Sequence, residues 1–184
     1  MKHQTSLAAY HIKKDRIIAY PTEGVFGLGC NPSSISAVKK ILSIKQRASN
    51  KGLILISDQI KKFYGYIDEA LDLNDLMRFT NWPGPYTLIV KSGPKAHPLI
   101  TGGRDKIAIR VTDHPVASGI CHLLNFPIVS TSANISNRPS ATDALQVRRI
   151  FKKNIDYIVG KKVGKLGHAT AIYDYETKKM IRNG

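Results

Sequence analysis

The residues best equipped for chemistry in this sequence are cations and small hydroxyls standing where apolar side chains are expected. Lys45 follows Ile35, Val38 and Leu42 at spacings of three and four, so it projects from the inward stripe of a helix near its C-terminal end. Its stem either carries the ammonium past the core into water or brings it against a buried anion. Arg47 lies two residues on and converges with Lys45 only if the helix stops, an ending that Ala48-Ser49-Asn50-Lys51-Gly52 supports. Lys45, Arg47 and Lys51 are then either a cluster suited to a polyphosphate or a solvated basic loop. Arg110 alternates with Ile107, Ile109 and Val111 and shares the opposite strand face with Ala108. Either that face is wet or the guanidinium lines a cavity, where its fork suits a carboxylate. Ser130-Thr131-Ser132-Ala133-Asn134 follows directly on an apolar strand, the place where open α/β sheets take ligands, although such groups also cap turns.

Several familiar chemistries find no support. Gly160-Lys161-Lys162-Val163-Gly164-Lys165 is one residue short of a GxxxxGK[ST] phosphate loop and is followed by Leu166, and Gly27-Leu28-Gly29 has Pro32 where a dinucleotide fingerprint needs its third glycine. No Ser-His-Asp set at hydrolase spacing and no carboxylate pair is present. Cys30 and Cys121 form no CxxC pair and read as reduced thiols, and no histidine has a zinc-site partner, so no metal site is expected.

These residues need a scaffold, and the pattern predicts one of interleaved helices and strands. Helices are expected over 7–15, from Ser33 or Ser34 onward, over 68–79, from Asp113 and Pro115 onward, and over 142–151. Strands are expected over 16–20, stopped by Pro21, and over 53–56, 86–90, 106–111 and 127–129, with short ones near 155–159, 171–173 and 179–181. The glycine-rich segment 22–30 reads as a loop built for close approach, and 92–105 as a second loop. With no repeat and no long linker, the expectation is a single α/β domain over residues 1–184 around a twisted sheet.

Composition agrees with a chain that folds alone: 184 residues, 42% hydrophobic and 22% charged. No apolar run reaches the roughly 20 residues of a membrane span, and the first residues lack a secretory h-region, so a cytoplasmic protein is expected. Twenty-eight Lys and Arg against 13 Asp and Glu give a net charge of +15, which favours a polyanionic partner without choosing among nucleic acid, nucleotide and membrane surface.

Five ordered segments together resemble one family. Tyr20-Pro21-Thr22-Glu23-Gly24-Val25-Phe26-Gly27-Leu28-Gly29-Cys30, Lys45-Gln46-Arg47, Trp82-Pro83-Gly84-Pro85-Tyr86-Thr87, Ile109-Arg110-Val111-Thr112-Asp113-His114-Pro115 and Ser130-Thr131-Ser132-Ala133-Asn134-Ile135-Ser136 are similar to the motifs of the YrdC-like threonylcarbamoyl-AMP synthases, short bacterial TsaC type. The resemblance implies a YrdC-like fold, a twisted mixed β-sheet flanked by helices with a positively charged cavity. It also implies a reaction in which ATP, L-threonine and bicarbonate yield threonylcarbamoyl-AMP and pyrophosphate, for modification of adenosine 37 in tRNAs reading ANN codons.

By the same resemblance the KxR…SxN set falls on Lys45, Arg47, Ser132 and Asn134. The two cations would neutralise the triphosphate, while Ser132 and Asn134 would position carbamate and adenylate. Thr22, Lys51, Arg110, Ser132 and Thr170 would serve threonine and bicarbonate, with Arg110 on the threonine carboxylate, and Thr87 and Ser140 would lie along the nucleotide. Mg²⁺ is expected to travel on the phosphates, TsaD/TsaB/TsaE-type proteins are the implied partners, and tRNA itself is a possible direct ligand. Departures from the family pattern are Gly24 in place of a threonine, Phe26 in place of a tyrosine, Lys51-Gly52 in place of His-Pro, Asn137 in place of a glycine and Thr170 in place of a serine. The competing reading is a non-catalytic module that grips tRNA or double-stranded RNA through its basic surface.

Overall fold

In the computed structural model, which describes residues 2–183, the apolar runs pair into one mixed sheet. Its strands are β1 (Ile18–Pro21), β2 (Phe26–Cys30), β3 (Ile54–Ser57), β4 (Tyr86–Lys91), β5 (Lys106–Val111), β6 (Ile128–Ser132), β7 (Tyr157–Ile158), β8 (Ala171–Asp174) and β9 (Met180–Arg182). They lie in the order β7-β1-β2-β6-β3-β5-β4-β8-β9. The β1/β7, β3/β5 and β4/β8 pairs are parallel and the rest antiparallel. The helices are α1 (Lys2–Lys13), α2 (Ile35–Ile44), α3 (Leu73–Thr80), α4 (Pro98–Thr101), α5 (Pro115–His122) and α6 (Ala144–Phe151). None among the described residues is long and apolar enough to cross a membrane.

Period-two alternation divides the sheet into two faces with different fates. Phe26, Leu28, Leu55, Leu88, Ile107, Ile109 and Val129 point to one face, where Val38 and Ile41 of α2, Leu76 of α3 and Val147 and Phe151 of α6 close over them. Ile18, Tyr20, Ile56 and Ile128 point to the other, beneath Ala8 and Ile12 of α1 and Val116 and Ile120 of α5. Each such large aliphatic side chain stabilises the fold by about 1.5–3 kcal/mol on full burial. The α1–α5 layer covers only part of its face. Register places Gly27, Ser132, Ile54, Ala108, Arg110 and Ile89 on the remainder, and that uncovered half of the sheet is the floor of a cavity.

Several elements differ from the sequence expectation. Residues 26–30 are a strand although the segment was expected to loop, because Gly27 and Gly29 stand on the side over which the Tyr20 ring lies. A Cβ at Gly29 would come within 2.8 Å of Tyr20 Cε1, so these glycines admit a neighbouring ring rather than a bend. Pro21 does not stop β1 but forms its last pair, with Phe26, at the strand end where a missing N–H is tolerated. Helix α3 begins at Leu73 instead of residue 68: Asp68 closes a turn on the Ala70 N–H, and Asp72 is the true cap, accepting from the Asn74 N–H at 2.7 Å. Helix α1 runs earlier than 7–15 and ends where Asp15 takes φ 56°. The loop over 92–105 contains the short α4, whose cap His97 accepts from the Leu99 N–H.

Candidate active site

The cavity occupies about 490 Å³, within the range of small-molecule sites. Six of its lining side chains are Lys or Arg, namely Arg47, Lys51, Arg104, Lys106, Arg110 and Arg182, against the acids Asp105 and Asp174. Lys106 is committed to Asp174 at 3.0 Å and Glu176 at 2.7 Å, and both acids push its ammonium above the usual lysine range. Arg110 pairs with Glu23. Arg47, Lys51, Arg104 and Arg182 have no acidic partner among the described residues, so they set the sign of the field that a ligand meets.

Helix α2 delivers two of the expected residues by ending between them. Lys45 is its C-cap, with its N–H on the Ile41 carbonyl, and Gln46 takes φ 50°, a left-handed turn that re-aims the chain. Arg47 therefore points into the cavity, its Nε and Nη2 held by the Gly52 carbonyl at 3.2 and 2.9 Å and Nη2 also by that of Lys51. Burial and, to a smaller extent, the nearby charges of Arg182 and Arg104 push its guanidinium below the usual range.

Lys45 sits behind the cavity wall. It is 1% exposed and is not among the lining residues. Its Nζ donates to the Ser132 carbonyl, to the Asn134 carbonyl at 2.9 Å and to Asn134 Oδ1 at 3.1 Å, which occupies all three ammonium protons. In return the Lys45 carbonyl accepts from the Ser136 N–H at 2.8 Å. Burial, with a smaller push from Arg47, brings the ammonium down to about 7. Lys45 is thus a clamp on the turn after β6. Ser132 Oγ donates to Asn134 Oδ1 at 2.6 Å, while Asn134 Nδ2 donates to the Ile135 and Arg138 carbonyls. Asn137 takes φ 65° in that turn, a conformation open to asparagine as to the family's glycine.

Thr22, Arg47, Lys51, Arg110, Ser132 and Thr170 all line the cavity. Thr22 Oγ1 donates to the Val25 carbonyl and Thr170 Oγ1 accepts from Arg110 Nη1 at 2.9 Å. Two residues expected along the nucleotide are not among those lining the cavity. Thr87 is fully buried, its hydroxyl 3.2 Å from that of Thr170, so it supports Thr170 from behind. Ser140 is half-buried and outside the lining, as is Asn134. Sequence reasoning missed Arg104 and Arg182, which sit in a loop and in the last strand with no pattern to mark them. It also missed Glu23, visible only as a charge inside a glycine-rich motif.

A strap over residues 160–170 closes one side. The Gly164 N–H donates to the Thr22 carbonyl and the Leu166 N–H to that of Glu23, and the strap carries His168, Ala169 and Thr170 onto the cavity wall. It passes so close that a Cβ at Gly24 would lie 1.8 Å from the His168 carbonyl oxygen. A threonine at that position, as in the family pattern, would not fit beneath the strap where it lies.

Known proteins are similar to this chain in sequence and fold. The Sua5_yciO_yrdC family model, described as "Telomere recombination", matches residues 11–184. A threonylcarbamoyl-AMP synthase of Idiomarina loihiensis is 41% identical over 179 residues, covering 96% of each chain, and one of Vibrio vulnificus is 39% identical over 175 residues, 94% of each. The solved structure of P. abyssi Sua5 complexed with L-threonine superposes with a TM-score of 0.88 at 31% identity over 96% of this chain, which spans only 52% of that longer one. E. coli YciO superposes with a TM-score of 0.86 at 25% identity, over 100% of this chain and 90% of its own. Motif order, sheet topology and overall similarity converge, and the chain belongs to the Sua5/YciO/YrdC family.

Proposed function

We propose that this protein is an L-threonylcarbamoyladenylate synthase, a nucleotidyltransferase in which residues 1–184 act as one catalytic domain. The observation that carries the reading is the set of unpaired cations, Arg47, Lys51, Arg104 and Arg182, facing one cavity beside the hydroxyl of Ser132. The names of the relatives and the threonine in the P. abyssi complex support the choice of substrates. A backbone-gripping RNA module has no use for a concave cavity of small-molecule size lined by cations and hydroxyls, and the site favours the enzyme.

The chemistry follows from charge. The threonine amine attacks bicarbonate and water leaves, giving an N-carboxylate, and a carbamate oxygen then attacks the α-phosphorus of ATP while pyrophosphate departs. Anion approaches anion, so the barrier is largely electrostatic. Arg47, Arg104 and Arg182 oppose it by holding the triphosphate and the developing pyrophosphate. Arg110 receives the threonine carboxylate, Lys51 and Thr22 lie on the same wall, and the Ser132 hydroxyl, which donates to Asn134 Oδ1 in the ligand-free protein, turns to donate to the carbamate. Lys45 holds the Ser132–Asn134 turn in place and adds its charge from behind. Mg²⁺ would be carried by the phosphates and would add to the charge neutralisation that the arginines supply.

The product would supply the threonylcarbamoyl group for adenosine 37 of tRNAs reading ANN codons, in the cytoplasm, with TsaD/TsaB/TsaE-type proteins consuming it. The test is incubation of purified protein with ATP, Mg²⁺, L-threonine and labelled bicarbonate, with Arg47→Ala alongside. Threonine-dependent labelled adenylate and pyrophosphate, both lost in a folded variant, are expected. Tight tRNA binding without product would replace the reading by the RNA-binding one.

A further inference from the structure

The proposed reaction leaves one buried acid without a task. Glu23 is 8% exposed and is not among the cavity-lining residues, yet its Oε2 lies 3.3 Å from Nη2 of Arg110, which does line the cavity. Its Oε1 accepts the hydroxyl proton of Thr112, two residues beyond Arg110 on the same stretch of chain. Its carbonyl accepts from the Leu166 N–H of the strap, and the strap returns Thr170 to the other side of the guanidinium, where Thr170 Oγ1 accepts from Nη1 at 2.9 Å. Arg110 is therefore gripped from two sides, by Glu23 directly and by Thr170, which Thr87 and the Arg182 Nη2 donation to the Thr170 carbonyl also hold in place, and Glu23 touches both the guanidinium and the strap.

We infer that Glu23 is the positioning residue of the threonine carboxylate site, orienting the Arg110 guanidinium through its side chain and the Thr170 strap through its backbone. The inference rests on the proposed reaction. A carboxylate beside Arg110 lowers the positive potential and, were charge the whole matter, would weaken capture of a substrate carboxylate. Orientation is what it supplies. A buried guanidinium with no anion has several rotamers and is repelled by neighbouring Arg182, whereas the Glu23 contact holds the fork in one. The hold does not saturate the group: of the five guanidinium N–H donors, one is in a hydrogen bond to Thr170 Oγ1 and Nη2 faces Glu23 Oε2, while the residue lines the cavity. The guanidinium is thus fixed in direction with donor capacity remaining for a ligand.

The test compares native protein with Glu23→Gln, which keeps the volume and an acceptor for the Thr112 hydroxyl, using L-threonine and L-threonine amide, which lacks the carboxylate. Orientation by Glu23 predicts a threonine KM raised about tenfold or more, with kcat and the ATP KM within about twofold, and a preference for threonine over its amide that falls by the same factor. Glu23→Asp restores part of that preference, and Thr112→Val, which leaves the charge but frees its position, shifts the threonine KM in the same direction by less. A folded Glu23→Gln protein with an unchanged or lower threonine KM overturns the inference, and so does an equal loss on threonine and amide, the mark of general loosening. Native protein that makes no threonine-dependent adenylate overturns the proposed reaction itself, a result distinct from native activity that Glu23→Gln leaves untouched.

Discussion

Binding of ATP near neutral pH should draw a proton onto Lys45. Burial holds this ammonium down to about 7 in the ligand-free protein, because its site provides three oxygen acceptors but no anion. A triphosphate held in the cavity, on the far side of the Ser132–Asn134 turn, brings negative charge near it and moves the group back toward the ordinary lysine range. At pH 8 the free protein then carries this proton in about one molecule in ten, so restoring it in the complex takes up as much as about 0.9 proton per ATP. The same linkage weakens ATP binding about tenfold, or ~1.4 kcal/mol, for each pH unit above 7 until the bound-state value is reached. Calorimetric titration at pH 8 in buffers of different ionisation enthalpy reads the uptake directly, and Lys45→Met removes the part that belongs to this side chain. Uptake near zero in native protein, or equal uptake in the variant, would refute the reasoning. Folding carries the companion sign: the unfolded chain keeps this proton up to 10.5 and the native state releases it near 7, so the Lys45 contribution to stability rises with pH across that window and is least favourable below it.

Other perturbations have equally definite outcomes. Gly24→Ala forces a Cβ into the His168 carbonyl, so cleavage by a protease within residues 160–170 should accelerate and threonine-dependent turnover should fall; an unchanged digestion pattern would show that the strap tolerates displacement. Arg104→Ala and Arg182→Ala should each raise the ATP KM about tenfold and flatten its salt dependence, with the melting temperature little altered. Leu55, fully buried in the middle of the sheet, should cost about 2–5 kcal/mol when replaced by alanine, read as a lower urea midpoint with unchanged slope.

Periodicity made the inward stripe of α2 legible, and with it the anomaly of a lysine at its end. The same rule located β5 over Lys106–Val111 and set Arg110 apart from its apolar neighbours. Both are local properties, carried by spacings of two, three and four residues, and the structure bears out the placement of each. The identity of β2 was not local. Gly27 and Gly29 suit a strand only because Tyr20 from β1 covers them, and nothing within residues 26–30 announces that ring.

Composition, motif order and the placement of cations on otherwise apolar faces were thus determined by the sequence alone, and they sufficed to indicate the fold class, the family and the anionic character of the substrates. Which cations are available was decided by tertiary structure. Lys45 finds its acceptors 87 and 89 residues away, and the Thr112 hydroxyl that holds Glu23 is 89 residues from it. Lys106 is neutralised by acids on β8 and the turn after it, whereas Arg47, Arg104 and Arg182 are brought together with none. The physical reason is range: secondary structure follows from steric and hydrogen-bonding preferences within a few residues, while the charge state and reach of a side chain depend on dielectric and partners that only the folded sheet assembles.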